Sequence, residues 1–171
     1  MKRSLLLIVA LSYFFACSCI AKINDLRSLP QPKIDLIHIE KQKRRMTLFF
    51  DNNKSKSYRI ALGFSPQGPK LMEGDGKTPE GVYSITYKNP QSQFYRSLKL
   101  SYPTPQDWQR AKRLGQNPGS NIMIHGLGEF YRAGKWHVLK DWTLGCIAVT
   151  NEEMDEIYRL VDVGTKVKIS P

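Results

Sequence analysis

Apolar and polar residues alternate at period two between closely spaced turn clusters, and this pattern constrains the fold more than any other feature. Met46, Leu48 and Phe50 alternate with Thr47 and Phe49, and Tyr58, Ile60 and Leu62 alternate with Arg59 and Ala61. Successive side chains of a strand point to opposite faces, so this spacing predicts strands with one face on a core. Ile34 to Glu40, rich in β-branched residues, precedes them as a further strand. The runs Lys41-Gln42-Lys43-Arg44-Arg45 and Asp51-Asn52-Asn53-Lys54 read as the intervening turns. The first half is therefore expected to be a β-meander. A Gly- and Pro-rich loop follows from Gly63 to Gly81, and Val82 to Tyr87 resumes the strand pattern. Loops this long in a compact domain are usually functional.

Helical signals come later. Thr104 is placed to cap a helix, Pro105 suits its first turn, Asp107 its positive end, and Gly115 its close. Thr150-Asn151-Glu152-Glu153 is a capping box, followed by Met154, Ile157, Leu160 and Val161 at helical spacing for core packing. Strands are expected at Ser120–Ile124, running into His125, at Ile147–Val149, and, after a turn at Gly164, at Lys166–Ile169. The predicted class is mainly β, with one or two helices packed on the sheet.

The N-terminus reads as an export signal over residues 1–21. Lys2 and Arg3 precede an apolar run from Leu5 to Ala16, and Cys19 and Ala21 suit a cut after Ala21. The apolar run is shorter than the ~20 residues of a spanning helix. Phe14-Phe15-Ala16-Cys17 is an imperfect lipobox, so lipidation at Cys17 is an alternative. Membrane attachment is expected only through that lipid or an uncleaved signal. Residues 22–33, with Pro30 and Pro32, read as a short tether to one domain over 34–171, placed in the periplasm or cell envelope. Removing the signal, which carries two basic and no acidic residues, lowers the net charge from +11 to +9. Such a charge suits an acidic wall polymer or an anionic surface, and equally serves solubility. Nucleic acid is disfavoured by export and by the lack of basic clusters interleaved with aromatics.

Of the three cysteines, Cys17 and Cys19 fall in the signal, which leaves Cys146 without an intramolecular disulfide partner. A lone cysteine with a histidine elsewhere, here His125, is a candidate nucleophile and base. Both sit where strands run into loops, and the spacing allows adjacent strands joined by a long excursion. Gly145 leaves room for close backbone approach, and the amides around Gly145 and Cys146 are placed to face an oxyanion. Taken alone, the pair also fits a buried thiol and a satisfied polar histidine.

The excursion from Leu127 to Trp142 reads as a lid. It carries Phe130, Tyr131 and Trp136 with Arg132, Lys135 and Lys140, whose charges either meet substrate carboxylates or are simply solvated. His137 is expected at the surface. Asp141 is expected to order the lid or bond nearby backbone, and Lys77, Tyr58 and Arg59 are candidates for the cleft wall.

His125-Gly126 followed by Thr143-Leu144-Gly145-Cys146-Ile147, with Thr78-Pro79-Glu80-Gly81 and Arg45-Met46-Thr47-Leu48 upstream, resembles the signature of the L,D-transpeptidase catalytic domain, the YkuD-type fold. The runs Asp141 to Asn151 and Ser57 to Phe64 resemble its YafK-type subgroup. The resemblance implies a β-sandwich or barrel acting on peptidoglycan stem peptides. It implies that Cys146 attacks the carbonyl at the L-centre of a diamino acid, that D-alanine leaves, and that His125 is the base with its ring oriented by the Gly126 carbonyl. Gly145 completes the catalytic set, and Trp142, Thr143, Tyr131 and Arg132 are expected to meet the substrate. No metal or organic cofactor is implied. Leu144 stands where the family often has a second histidine, and Ala148 where it often has arginine or asparagine. These departures leave the acceptor open between another stem peptide and water, the latter giving an L,D-carboxypeptidase or an amidase that releases a wall-attached peptide or lipoprotein. A peptidoglycan-binding module without activity is the reading from a different class, and a secreted cysteine protease the third.

Overall fold

The computed structural model describes residues 32–171. The expected signal 1–21, Cys17 and the tether up to residue 31 lie outside the described residues. The alternating segments form β1 (Ile34–Glu40), β2 (Arg45–Phe50) and β3 (Ser55–Arg59), paired antiparallel in sequence order. β4 (Gly81–Ser92) is longer than its pattern predicts, and it turns into β5 (Tyr95–Leu100), a stretch whose sequence sets no expectation. β6 (Met123–His125), β7 (Ile147–Ala148) and β8 (Lys166–Ser170) complete one eight-stranded sheet of order β3-β2-β1-β8-β4-β5-β6-β7. β8 inserts parallel to β1 and antiparallel to β4, so the last strand joins the meander to the second half.

The chain leaving β3 curls the sheet into a half-barrel. Ala61 exchanges both backbone hydrogen bonds with Ala148, at 3.0 and 2.9 Å. Thr143 N–H donates to Leu62 O at 3.1 Å, and Phe64 N–H to Thr143 O at 2.9 Å. This crossing is why Ile60, Ala61 and Leu62 are all fully buried although only every second residue of a simple strand would be. Ile37, Ile39, Met46, Leu48, Leu98, Ile124 and Val167 fill the same core without exposure. Burying each such side chain contributes about 1.5–3 kcal/mol before chain entropy is subtracted.

Among the described residues two α-helices pack outside the sheet. α1 (Pro105–Arg113) starts at Thr104, whose hydroxyl accepts from Asp107 N–H while the Asp107 carboxylate accepts from Thr104 N–H. α2 (Asn151–Leu160) has the same reciprocal cap between Thr150 and Glu153. It turns Met154 and Ile157 into the core. The excursion between β6 and β7 is a kinked 3₁₀ segment (Gly128–Leu139). Short 3₁₀ turns are frequent as connectors. Among the described residues no helix is long and apolar enough to cross a membrane.

Candidate active site

β6 and β7 run parallel, with Ile124 opposite Ile147 and His125 opposite Ala148. Cys146 lies two residues before Ala148, so its side chain falls on the sheet face that carries His125. Both residues line a groove of about 640 Å³, together with Lys70, Phe94, Asn121 and Trp142.

The cysteine turn is built from its own neighbours. Thr143 Oγ1 accepts from Gly145 N–H at 3.1 Å and donates to Cys146 O at 2.7 Å, clamping both sides of the turn. Gly145 has φ +125°, and a Cβ there would stand 2.6 Å from Lys77 O, so only glycine fits. The loop from Gly63 to Gly81 therefore backs the cysteine. Its Thr78 hydroxyl accepts from Gly63 N–H at 3.0 Å, which holds the loop to the chain that crosses over from β3. Cys146 is half-buried, with Sγ 3.5 Å from Asn121 O. Burial pushes its thiol pKa up, against a backbone hydrogen bond from Met123 and the charge of Lys70. Asn121 holds φ +59°, a left-handed conformation rare outside glycine, and β6 consequently starts later than its pattern predicts.

His125 is only 2 % exposed. Its Nδ1 lies 2.6 Å from Gly126 O. A carbonyl only accepts, so the proton sits on Nδ1, which leaves the Nε2 lone pair available. Phe94 stacks on the ring at 4.5 Å between centroids, and Trp142 meets it edge-on at 5.9 Å. Burial lowers the pKa of His125 to about 4, only partly offset by the Gly126 bond. At neutral pH the groove thus holds a neutral imidazole and a protonated thiol. The strand end is fixed from behind by Asn151, whose Oδ1 accepts from Leu127 N–H at 2.8 Å. A Cβ on Gly126 would stand 2.6 Å from that same oxygen.

Other expected residues sit differently. Trp142 lines the groove, and Thr143, buried, spends its hydroxyl on the turn. Arg132 is exposed on the 3₁₀ segment and is not among the residues lining the groove, and the side chain of Tyr131 lies outside the described residues. His137, expected at the surface, is instead 6 % exposed, because the 3₁₀ segment folds down against α2 and turns this ring inward. Asp141 ties the crossing chain in place, accepting from Leu62 N–H at 2.9 Å and from Arg44 at 2.7 Å. Lys77, Tyr58 and Arg59 do not line the groove: Lys77 Nζ bonds Gln67 O, and Tyr58 borders a separate hollow beside α2.

Lys70, Phe94 and Asn121 carry no signal in the sequence for these positions, and Asn151 is marked there only by its capping box and by the run Asp141 to Asn151. Lys70 lies in the Gly- and Pro-rich loop with its side chain 3 % exposed, ion-paired to Asp75 at 2.7 Å. Its Nζ also donates to Met72 O at 3.0 Å. Among the described residues no cluster of His, Cys, Asp or Glu could hold a metal ion.

Solved structures of the helical cell shape determining protein Pgp2 of Campylobacter jejuni (TM-score 0.60, 24% identity, 80% of this chain and 47% of that one) and of an L,D-transpeptidase of Mycobacterium smegmatis (TM-score 0.52, 14% identity, 82% and 59%) share this curled, mostly β fold. The L,D-transpeptidase catalytic-domain (YkuD) profile matches residues 34–169, and the chain belongs to that family. YafK of Escherichia coli (strain K12) is 30% identical over 131 residues, 73% of this chain and 46% of that protein. YqjB of Bacillus subtilis (strain 168) is 26% identical over 164 residues, 92% and 85% respectively. Both bear the L,D-transpeptidase name. The chain thus spans under half the length of YafK.

Proposed function

We propose that this chain is an exported cysteine acyl-transferase acting on peptidoglycan stem peptides. The observation that carries this reading is the pairing in one groove of a half-buried thiol with a neutral imidazole whose tautomer is fixed by Gly126 O. In this reading Nε2 of His125 takes the Sγ proton as sulfur bonds to the substrate carbonyl carbon. Because burial raises the thiol pKa and lowers that of the imidazole, the transfer is uphill at rest and occurs with the attack. The Gly145 N–H is held by Thr143, so the oxyanion is assigned to the Cys146 N–H. The imidazolium then returns its proton to the departing amine of D-alanine, leaving a thioester on Cys146. An acceptor amine attacks the thioester and gives its proton to Nε2, which passes it to the departing sulfur, restoring the thiol and the neutral imidazole.

Water in place of the amine gives a carboxypeptidase or amidase by the same steps. Leu144 favours this second outcome. It is 76 % exposed at the groove where a histidine often stands in the family, so that position supplies no polar group to receive an acceptor amine.

Incubation with purified tetrapeptide muropeptides, followed by mass spectrometry, tests the proposal. A dimer joined through two third-position residues marks transfer, and loss of D-alanine alone marks hydrolysis. Turnover retained in Cys146→Ala would end both. Export through residues 1–21 is part of the proposal, and N-terminal sequencing of the protein recovered from cells checks the cut after Ala21.

A further inference from the structure

Lys70 is a buried charge that the acyl-transfer steps leave unused. Its side chain is 3 % exposed, yet it lines the groove that holds Cys146. Among the described residues lining that groove, Lys70 is the one cation and the exposed Glu73 the one anion. The basic residues of the excursion between β6 and β7, Arg132, Lys135 and Lys140, do not line it.

The loop that carries Lys70 is tied to the cysteine turn. Asp75 Oδ1 accepts from Lys70 Nζ at 2.7 Å and from Lys77 N–H at 3.0 Å. Lys77 O in turn stands against Gly145, the residue before Cys146. Burial raises the Cys146 pKa and the charge of Lys70 opposes it, so this ammonium is felt at the sulfur.

The ammonium is not fully bonded. It has three N–H donors. Two find acceptors among the described residues, Asp75 Oδ1 and Met72 O. Asp75 does not spend its whole charge on Lys70 either, since its carboxylate also accepts from the N–H groups of Leu71, Met72 and Lys77 at 2.8, 3.2 and 3.0 Å. Asp75 itself does not line the groove. A buried donor without an acceptor is costly, and a buried charge is screened far less than an exposed one such as Glu73. The groove therefore offers an entering anion one desolvated cation with a donor to spare. Anchoring the loop requires the Asp75 pair, but it does not require the cation of that pair to line the groove.

We propose that Lys70 sets substrate specificity, its third N–H donating to a carboxylate of the stem peptide next to the scissile bond. This rests on the peptidoglycan reading above and deepens it. The two residues flanking that bond offer two carboxylates, the C-terminal one of the departing D-alanine and the one on the D-centre of the diamino acid. Both present the same charge-assisted acceptor to Lys70.

The test uses the full protein carrying Cys146→Ala, so that bound substrate is not consumed. Calorimetry measures affinity for three tetrapeptides: the parent, one ending in a C-terminal amide, and one with lysine in place of the diamino acid. Removing the carboxylate that Lys70 holds is expected to weaken binding about tenfold or more, because a charge-assisted bond is lost. The peptide that loses affinity names the carboxylate. Adding Lys70→Met/Asp75→Asn is expected to abolish the difference, whereas a residue that merely anchors the loop would shift all three affinities together. Equal affinity for the three peptides, binding of none, or a difference that survives the double substitution overturns the proposal. Lys70→Arg keeps the charge and gives a second reading should the double variant melt early: the preference is expected to survive, and its loss with the fold intact counts against Lys70. Values of kcat/KM for the unsubstituted protein on the same peptides separate the two readings. Turnover with no preference among them sinks the Lys70 assignment and spares the transferase; a Lys70-dependent binding preference with no turnover of any peptide does the reverse.

Discussion

Acidification from pH 8 to pH 5 is expected to cost this domain about 4 kcal/mol of stability, divided between two buried histidines. His125 and His137 are 2 % and 6 % exposed, and burial lowers both pKa values to about 4. Neither ring nitrogen of His137 has a hydrogen-bond partner among the described residues. In the unfolded chain both rings titrate near 6.5. Between about pH 6.5 and pH 4 the unfolded state therefore binds more protons than the folded state, and stability falls as pH falls through that window. Integrated down to pH 5, each ring contributes a loss of about 2 kcal/mol. That is a large share of the 5–15 kcal/mol typical of a domain. Carboxylates enter lower: the Lys43 and Arg45 bonds hold Glu40 at about 2, and the Lys70 bond with backbone N–H donors holds Asp75 low. Urea unfolding at pH 8, 7, 6 and 5 measures the loss directly. His137→Leu should remove about half of it. It should also leave stability at pH 8 equal or higher, since two unsatisfied buried nitrogens go with the ring. If this variant and its parent lose the same free energy by pH 5, His137 is not held neutral by burial and the argument fails.

Three further outcomes follow from the groove. The pH profile of kcat/KM on a tetrapeptide should have its acid limb near pH 4, where His125 in the free protein gains a proton; a limb near 6.5 would mean a solvated imidazole. Gly126→Ala places a methyl 2.6 Å from Asn151 Oδ1 and 3.0 Å from Phe94 O, so the carbonyl that holds His125 must move; turnover should fall about a hundredfold or more, and an unchanged rate would show that this carbonyl does not set the ring. Lys70→Met strips the ion pair from the buried Asp75 carboxylate and should destabilise by about 3 kcal/mol, with most of the loss recovered in the Lys70→Met/Asp75→Asn double variant by urea unfolding.

Local chemistry was readable along the chain because it depends on neighbours. The alternation of Met46 and Leu48 with Thr47 marked a strand, since a pleated backbone sends adjacent side chains to opposite faces. Thr104 with Asp107, and Thr150 with Glu153, marked two helix starts, since each cap closes within four residues. Cys146 and His125 stood out by residue type and by their glycine neighbours. β5 gave no such mark: Asn89, Pro90 and Gln91 interrupt the pattern at the end of β4, and its pairing with that strand is what makes it a strand.

The arrangement of these pieces came from contacts distant in sequence. The insertion of β8 between β1 and β4, and the crossing of Ile60 to Phe64 onto β7, bury apolar surface that no local segment could cover alone. Folding of that kind brought Lys70, Phe94 and Asn151 to a cysteine and a histidine far from them in the chain, and turned His137 inward against its usual preference for water. Residue type and spacing decide which backbone shapes are cheap. Which side chains lose their water, and so which protons they hold, is decided only when remote segments close over them.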